Sequence, residues 1–409
     1  MTRPSWLGDP SKSWQEHGLL RGLPPPRAAC PTLENWDLPP FNRWSFQNVR
    51  SLIPTVRVGR GASPPSTFAR EPRAIEGIGF ETVSGAHIEV ATLLAHSYTD
   101  GLLVLHRGRI VAERYENGMA PSSLHLSQSV AKSITGTVAG ILVDQGRLDP
   151  EAPLVEYVPE LSGCGYADAR VTHVLDMTSG VRFTEDYGAP DSDMTRVDVA
   201  AGWRPHRGPA PRATIREIIL TLPKVRAHGE VFEYRSIETD VLAWAMERAA
   251  GLPLAELVSL ELWWPLGCEE DACFTVDGAM TAVADGGFNA TLRDYGRFAQ
   301  MHLDQGLFAG RQIVSATWVR SCRTGDNSIF GEPYDVYNPR GAYRRQFWVE
   351  DVERGTCSAR GVFGQMIYID PERSFAAVKL STWPDYLNPE LRADTTRALD
   401  AIARALEGR

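Results

Sequence analysis

The residues whose types and spacing most clearly permit chemistry are Ser129 and Lys132, in the run Ser129-Val130-Ala131-Lys132. Residues three positions apart lie on the same face of a helix, so their side chains can meet. A serine hydroxyl is a weak nucleophile until a base takes its proton, and a lysine amine can do this if burial lowers its pKa towards neutrality. The pair predicts a nucleophilic serine that is activated by a lysine.

The Ser129–Lys132 spacing occurs once in the chain, which holds only four lysines. Serine is common, so a pattern this short is weak evidence by itself. Its position strengthens it, because it opens an apolar helical run directly after a predicted β-hairpin. At the first turn of a helix, backbone N–H groups and the positive end of the dipole face the reacting centre. The N–H of Ser129 is then a candidate donor to an oxyanion.

A third candidate is Tyr234, in a run at 232–236 that precedes a helical pattern over 240–250. A phenol beside Ser129 and Lys132 would act as general acid and base between them and the leaving group. A half-buried structural tyrosine explains the same residue, and the residues alone leave both interpretations open.

The composition argues for a globular enzyme and against two classes of partner. Hydrophobic residues make up 43% of the 409 residues, which is enough for a large core. The net charge of −9 argues against nucleic acid, which selects basic surfaces. No run approaches the roughly 20 apolar residues of a membrane span, and the start of the chain lacks the apolar segment of a signal peptide. We therefore predict a cytoplasmic protein that binds a small molecule and neither nucleic acid nor membranes.

The cysteines and histidines do not form a metal-binding pattern. Of six cysteines, only Cys268 and Cys273 are close in sequence, and no second pair or histidine cluster follows at ligand spacing. Free thiols in a reducing compartment are the simpler explanation. We predict no metal and no cofactor.

The elements that must position these residues follow from the periodicity of apolar side chains. Residues 1–75, rich in Pro, Arg and Trp, predict an extended arm that wraps the body through aromatic anchors instead of regular elements. Two β-rich runs at 102–106 and 110–115, around a Gly-containing turn, predict a hairpin. Apolar residues at helical spacing then predict a helix over 128–145.

Further along the chain, helical patterns alternate with long loops and then give way to strands. Helical patterns lie at 172–177, 214–222, 240–250, 292–303, 316–322 and 389–406, and strand patterns lie at 365–369 and 375–380. This order predicts an α+β fold: an antiparallel sheet flanked by terminal helices, with an all-helical lobe inserted between its halves. We assign 76–125 and 290–409 to the sheet lobe and 126–289 to the helical lobe, with the active site at their interface.

Three motifs together resemble the serine β-lactamase and DD-peptidase superfamily. They are Ser129-Val130-Ala131-Lys132-Ser133, Val174-Leu175-Asp176-Met177-Thr178-Ser179-Gly180, and Tyr234-Arg235-Ser236 with its following helix. Other segments, over nearly the whole chain from about Thr32, resemble one branch, the 6-aminohexanoate-dimer or nylon-oligomer hydrolases. These segments are Asn35-Trp36, Pro39-Pro40-Phe41-Asn42-Arg43-Trp44, Glu185-Asp186-Tyr187, Ala201-Gly202-Trp203-Arg204 and Gly364-Gln365. The resemblance implies a β-lactamase-like fold.

The resemblance also implies a role for each of five residues. Ser129 would be acylated, with Lys132 as its base and Tyr234 delivering the proton to the leaving amine. Tyr187 falls where the branch has a tyrosine on a mobile loop that closes over the substrate and hydrogen-bonds its amide. Asp198 matches a position that holds the free ammonium of the substrate, and a carboxylate suits a cation. A solvated loop acid is the alternative for Asp198.

The third motif of the superfamily, Lys-Thr-Gly, has two candidates in this chain. Cys322-Arg323-Thr324-Gly325 follows a helical pattern, whereas the motif belongs on a strand beside the cleft. The better candidate is Ala359-Arg360-Gly361-Val362, where the N–H of Val362 would be the second oxyanion donor. Ala359 replaces the lysine that binds a carboxylate in lactamases, which lowers the expectation of lactamase activity. Arg360 could replace that cation or point away.

Two positions depart from the nylon-oligomer hydrolases. Asp285 stands where efficient members have Asn, and Phe363 stands where they have His. Asp285 near the site would favour a cationic substrate or disturb the proton balance between Lys132 and Tyr234. The predicted fold and nucleophile do not depend on either position.

The sequence therefore predicts a serine amidase or esterase that cleaves linear amides, including 6-aminohexanoate oligomers, and short esters through an acyl-enzyme. One alternative is a carboxylesterase with little amidase activity. Others are a β-lactamase or D-peptidase, and a non-catalytic binding protein on the same fold. The resemblance to the branch suggests a homodimer.

Overall fold

The computed structural model describes residues 9–209 and 211–407. Its central element is an eight-stranded sheet whose neighbouring strands pair antiparallel, apart from the parallel edge strand Ala69–Arg70. In spatial order the strands are Ala342–Arg344, Phe347–Asp351, Thr356–Gly361, Gln365–Asp370, Phe375–Ser381, Thr99–His106, Arg109–Tyr115 and Ala69–Arg70. The sheet thus joins strands from the two ends of the chain.

Helices cover both faces of this sheet, which explains why strand Thr99–His106 is buried along its whole length. Successive side chains of a strand point to opposite faces. Leu103 accordingly belongs to the core that contains the helix Leu292–Leu303, and Leu102 belongs to the core beneath the C-terminal helix Pro389–Glu407. The continuous apolar run of this strand is the sequence signature of such two-sided burial.

The helix that follows Ser129 runs from Val130 to Asp144 and is buried on nearly every side. Small residues let its neighbours approach closely. A Cβ atom added at Gly136 would lie 2.7 Å from the carbonyl oxygen of Arg345, and one added at Gly140 would lie 2.3 Å from the Trp318 indole nitrogen. This helix is therefore fixed against the segments that surround it.

A second, four-stranded sheet supports the turn that carries Ser129. Its strands, in spatial order, are Thr55–Val58, Ala272–Thr275, Phe288–Ala290 and His125–Leu126. His125–Leu126 ends just before Ser129, and Phe288–Ala290 begins just after Asp285. The pairing of these two strands brings distant parts of the chain to the same place.

The remaining elements are mostly helices. The other α-helices are Asn42–Ser45, Val90–His96, Leu154–Tyr157, Val171–Leu175, Asp193–Ala200, Ile215–Ile219, Ile237–Ala250, Leu254–Leu257, Trp264–Leu266 and Ala316–Ser321. Short 3₁₀ turns span Arg27–Ala29, Val49–Ser51, Pro159–Gly163, Asn327–Ile329 and Val362–Gly364, and a π-helical turn spans Val258–Trp263. Two small hairpins pair Gly79–Glu81 with His87–Glu89 and Leu307–Phe308 with Arg311–Gln312.

The predicted α+β fold is confirmed, and the predicted helix over 292–303 has the observed bounds. Two details are wrong. The arm over 1–75, whose residues 1–8 lie outside the described range, contains the strands Thr55–Val58 and Ala69–Arg70, because partners from far along the chain pair with them. The segment 126–289 is not wholly helical, since Ala272–Thr275 is a strand. The division of the chain into lobes stays a prediction.

No helix in the described part of the chain is long and apolar enough to cross a membrane. The six cysteines are unpaired, and four of them are buried.

Candidate active site

Ser129 lies at the turn between strand His125–Leu126 and the buried helix, and it is 9% exposed. Gln128 before it has a positive φ of 50°, which turns the chain sharply into the helix. Gly361, at the end of strand Thr356–Gly361, packs against this turn, because a Cβ atom there would lie 2.5 Å from the carbonyl oxygen of Ser127. The turn is therefore held directly against the end of an inner strand of the large sheet.

Lys132 reaches back from the first turn of the helix to Ser129. Its Nζ lies 2.9 Å from the Ser129 Oγ, 3.0 Å from the Ser236 Oγ and 2.7 Å from the carbonyl oxygen of Asp285. A lysine ammonium has three N–H donors and no acceptor, and these three oxygens can accept all of them. The side chain is 1% exposed, so water does not compete for these bonds.

The pKa of Lys132 is raised, although its burial acts in the opposite direction. Interactions with Tyr234, Asp285 and Glu185 stabilise the ammonium and together outweigh the cost of burial. The prediction that burial lowers this pKa towards neutrality is wrong for the free protein. The amine becomes a base only after its proton has moved to a neighbouring group.

Tyr234 is half-buried beside Lys132, whose Nζ lies 5.2 Å from the centre of the phenol ring. The ring stacks on Trp348 at 5.3 Å, and the backbone N–H of Tyr234 donates to the hydroxyl of Tyr334 at 3.0 Å. Burial raises the pKa of Tyr234, and the nearby Lys132 ammonium opposes this only in part. The phenol is therefore protonated at neutral pH and can act as a proton donor.

Glu185 and Ser236 form a hydrogen-bonded extension of this site that the sequence did not predict. The Ser236 hydroxyl donates to Glu185 Oε1 at 2.5 Å, and the Ser236 backbone N–H donates to Oε2 at 2.8 Å. Burial raises the pKa of Glu185, although the Lys132 ammonium opposes it. The position of Glu185 two residues before Tyr187 was the one sequence feature that could have indicated its role. Nothing in the sequence related it to Ser236, which lies 51 residues further along the chain.

Tyr187 lies on the loop between Val181 and the helix Asp193–Ala200. Its hydroxyl donates to Glu185 at 2.6 Å, and its ring lies 5.2 Å from that of Tyr386. The structure therefore places Tyr187 at the cleft, bonded to a carboxyl that contacts the Lys132–Ser236 pair.

Asp198 is on the helix Asp193–Ala200, is 8% exposed and does not line the cleft. Burial raises its pKa to about 8, with Arg204 acting in the opposite direction. The carboxyl is therefore largely protonated at neutral pH. The N-terminal segment fixes the adjoining loop, because Asp37 pairs with Arg204 and the Trp36 indole donates to the carbonyl of Trp203 at 2.8 Å.

Asp285 is buried behind Lys132, which it contacts through its backbone carbonyl. Burial raises the pKa of its carboxyl. A second buried acid, Asp240, accepts the backbone N–H of Ala284 at 2.9 Å, and its pKa is raised by burial and by the charge of Asp285. Neither carboxyl lines the cleft.

A cleft of about 440 Å³ opens from Ser129 and is walled mostly by aromatic and apolar side chains. It is lined by Ser129, Glu185, Tyr187, Tyr234, Pro333, Tyr334, Trp348, Arg360, Gly361, Val362, Gly364, Gln365, Met366, Trp383, Tyr386, Leu387, Asn388, Pro389, Arg392 and Thr395. Of the two candidates for the third motif, the structure places 359–362 at this cleft, at the end of a strand. The other, 322–325, follows the helix Ala316–Ser321 and does not line it.

The side chain of Phe363 turns away from the lining of the cleft. It is 6% exposed and packs edge-on against Phe46 at 5.1 Å. Arg360 lines the cleft but is already paired, since its Nη2 lies 2.5 Å from Glu350 Oε2 and its guanidinium lies 4.9 Å from the Trp348 ring.

In the described part of the chain, no group of three His, Cys, Asp or Glu side chains could hold a metal ion.

Comparisons with known proteins agree with this geometry. Residues 90–402 match the Beta-lactamase family model. The chain is 39% identical to a 6-aminohexanoate-dimer hydrolase of Paenarthrobacter ureafaciens over 384 residues, which cover 92% of this chain and 96% of that protein. A Bacillus anthracis structure provisionally assigned as a 6-aminohexanoate-dimer hydrolase is 27% identical, with a TM-score of 0.85, over 92% of this chain and 97% of that one.

More distant structures share only the fold. A family VIII carboxylesterase has a TM-score of 0.58 at 15% identity, over 74% of this chain and 91% of that one. Proteins named as 6-aminohexanoate-dimer hydrolases and as a carboxylesterase therefore share this fold.

Proposed function

The chain belongs to the β-lactamase family of serine hydrolases, and on that premise we propose that it cleaves linear amides, 6-aminohexanoate oligomers among them, and short esters. The observation that carries the proposal is the 2.9 Å contact between Ser129 Oγ and Lys132 Nζ beside an aromatic cleft. The similarity to the 6-aminohexanoate-dimer hydrolase of Paenarthrobacter ureafaciens and to the Bacillus anthracis structure supports the choice of substrate.

Acylation begins when the Ser129 oxygen attacks the scissile carbonyl and its proton passes to Lys132. Because Lys132 starts as an ammonium, its own proton must leave first. The contacts offer a route: Lys132 donates to the Ser236 hydroxyl, which donates to Glu185. Burial raises the pKa of Glu185, which makes its carboxylate a stronger proton acceptor than an exposed glutamate.

The tetrahedral intermediate needs donors for its oxyanion, and two backbone N–H groups are the candidates. One belongs to Ser129 and the other to Val362, at the end of the strand Thr356–Gly361. The close packing of Gly361 on Ser127 supports this pairing, because it fixes the two segments relative to each other.

Collapse of the intermediate requires a proton for the leaving amine, and Tyr234 is its donor. Its protonated phenol lies beside Lys132, which returns the proton to it. Water then attacks the acyl-enzyme, activated by the same Lys132–Tyr234 pair.

Substrate is held by Tyr187 at its amide and by Asp198 at its free ammonium. Asp198 must give up its proton before it can pair with a cation, because its pKa is about 8. Asp285, whose carboxyl is buried and does not line the cleft, is a second acid behind Lys132, and we propose that it favours a cationic substrate over an anionic one. Since Asp198 does not line the cleft, movement of the Tyr187 loop has to open a path to it.

The test is hydrolysis of the linear 6-aminohexanoate dimer beside a short-chain p-nitrophenyl ester. Cleavage of both by the same serine supports the proposal. Cleavage of neither would contradict it.

A carboxylesterase with little amidase activity is the second candidate. The observation that favours it is the position of Asp198 outside the cleft lining, which leaves the ammonium of an oligomer without an anchor on the cleft wall. Cleavage of the ester alone would select this candidate.

Two other candidates have less support. A β-lactamase or D-peptidase needs a cation for the substrate carboxylate, but Ala359 lacks one and Arg360 is paired with Glu350. A non-catalytic binding protein would not need the Ser129–Lys132 contact. We also propose a cytoplasmic location and, from the resemblance to the nylon-oligomer hydrolases, a homodimer.

A further inference from the structure

The cleft wall carries two guanidinium groups, and they differ in what they contact. Arg360 is held by Glu350 through two contacts, Nη2 to Oε2 at 2.5 Å and Nε to Oε1 at 3.1 Å. Both side chains are 8% exposed. The Ser358 hydroxyl also donates to Glu350. Arg360 and Glu350 therefore neutralise each other and leave no carboxylate oxygen without a partner.

Arg392 is the other guanidinium, and it lies in the first turn of the C-terminal helix Pro389–Glu407. It is half-buried, yet its side chain makes no hydrogen bond or ion pair with any residue in the described part of the chain. Burial, with repulsion from Arg360, lowers its pKa to about 10, so it remains charged at neutral pH. Glu350 is the nearby acid, and it is already paired.

A half-buried cation that no carboxylate bonds directly is costly, since it has lost part of its hydration and the charge of Glu350 offsets this only in part. The cost is recovered when an anion binds, and a guanidinium matches the two oxygens of a carboxylate. The cleft that Ser129 and Arg392 both line is walled mostly by apolar and aromatic side chains, Met366, Trp383 and Leu387 among them. Such walls suit a chain of methylene groups that ends in a carboxylate.

We propose that Arg392 binds the free carboxylate of the substrate, at the end of the amine half that leaves when Ser129 is acylated. This inference rests on the proposed function, which places the ammonium end of the same substrate at Asp198. A linear molecule that crosses Ser129 presents its two ends in opposite directions, and Arg392 lines the cleft whereas Asp198 does not. The enzyme then selects linear substrates by opposite charges at their two ends.

The test uses binding, so that it does not depend on turnover. Hexanoate and hexanamide have the same length and differ in the charge of one end. Ligand-observed NMR titration of the wild type should give a dissociation constant about tenfold or more lower for hexanoate than for hexanamide. Arg392→Gln should remove this difference, and Arg392→Lys should keep part of it.

The matched control is Arg404→Gln, which removes the same charge from the same helix at a position that is 59% exposed and paired with Asp400. It should keep the preference for hexanoate. Equal or undetectable binding of the two ligands by the wild type, or an unchanged preference in Arg392→Gln, would overturn the inference. Turnover of the 6-aminohexanoate dimer reports separately on the proposed function, so the two failures are distinguishable.

Discussion

The hydroxyl of Ser236 donates to the carboxylate of Glu185 at 2.5 Å while it accepts from the Lys132 amine at 3.0 Å. This contact links Lys132 to a half-buried acid whose pKa is raised by desolvation. We propose that a resting ammonium at Lys132 passes its proton along this contact to Glu185 and so becomes the base that Ser129 needs.

Replacing Glu185 by Gln tests this link. The amide keeps an acceptor for Ser236 but cannot take a proton, so kcat should fall about a hundredfold while KM changes little. Ser236→Ala should cause a similar loss. Because both substitutions interrupt one route, the double variant should be no slower than the slower single variant. Losses that multiply in the double variant would show that the two residues act independently.

The pKa of Asp198, about 8, predicts a pH dependence of substrate binding. A protonated carboxyl does not attract an ammonium, so KM for the 6-aminohexanoate dimer should fall as the pH rises from 6.5 to 8.5. The substrate amine stays charged over this range, because its own pKa is about 10.4. Asp198→Asn should give a higher KM without this dependence.

A neutral p-nitrophenyl ester is the control for Asp198, since it carries no cation. Its KM should be the same in the wild type and in Asp198→Asn. A KM for the dimer that is flat with pH in the wild type would remove Asp198 from the binding site.

Tyr187→Phe separates amide from ester hydrolysis. An amide needs hydrogen bonding and a protonated leaving group, whereas an activated ester needs little of either. We expect kcat/KM to fall about tenfold or more for the dimer and only slightly for the p-nitrophenyl ester. Tyr157→Phe is the matched control, because Tyr157 bonds the backbone N–H of Asp149 outside the cleft. Equal losses on both substrates would contradict the role given to Tyr187.

Lys379 provides a prediction about stability that is separate from catalysis. It is 1% exposed on strand Phe375–Ser381, and burial lowers its pKa to about 7. The unfolded chain binds the proton up to about pH 10.4, so the wild type gains stability as the pH rises from 7 to about 10.4. Lys379→Met should raise the free energy of unfolding by about 1–4 kcal/mol below pH 7, and less at higher pH.

The free energies come from urea unfolding at several pH values. Lys224→Met is the control, since Lys224 is 33% exposed and its partner Asp168 is 66% exposed. Such a pair contributes about 0–1 kcal/mol, and its removal should show no comparable trend between pH 7 and 10. A destabilised Lys379→Met at every pH would mean that the buried amine supports the fold.

Local patterns in the sequence predicted local features of the structure. The i, i+3 spacing of Ser129 and Lys132 fixes their contact once a helix forms, and the apolar run at 102–106 reflects burial on both faces of one strand. The state of Lys132 could not be predicted in this way. Its pKa depends on acids at 185, 234 and 285, which only the tertiary structure brings together.

For the same reason the sequence did not identify Glu185 and Arg392 as residues of the site. The bond from Ser236 to Glu185 spans 51 residues, and the motif comparison gave the carboxyl no role. Arg360 lies in the third motif and was a candidate to replace the carboxylate-binding lysine, but it is paired with Glu350. The guanidinium of the cleft wall that makes no ion pair with the described residues belongs instead to Arg392, on the C-terminal helix, which is not part of any motif in the sequence.

The central claim is that Ser129 is the nucleophile for both amides and esters. The most direct measurement is the rate of hydrolysis of the 6-aminohexanoate dimer and of a short-chain p-nitrophenyl ester by the wild type and by Ser129→Ala, with thermal unfolding to check the fold. We expect the wild type to cleave both substrates and the folded variant to cleave neither above background. A folded Ser129→Ala protein that still turns over either substrate would contradict it.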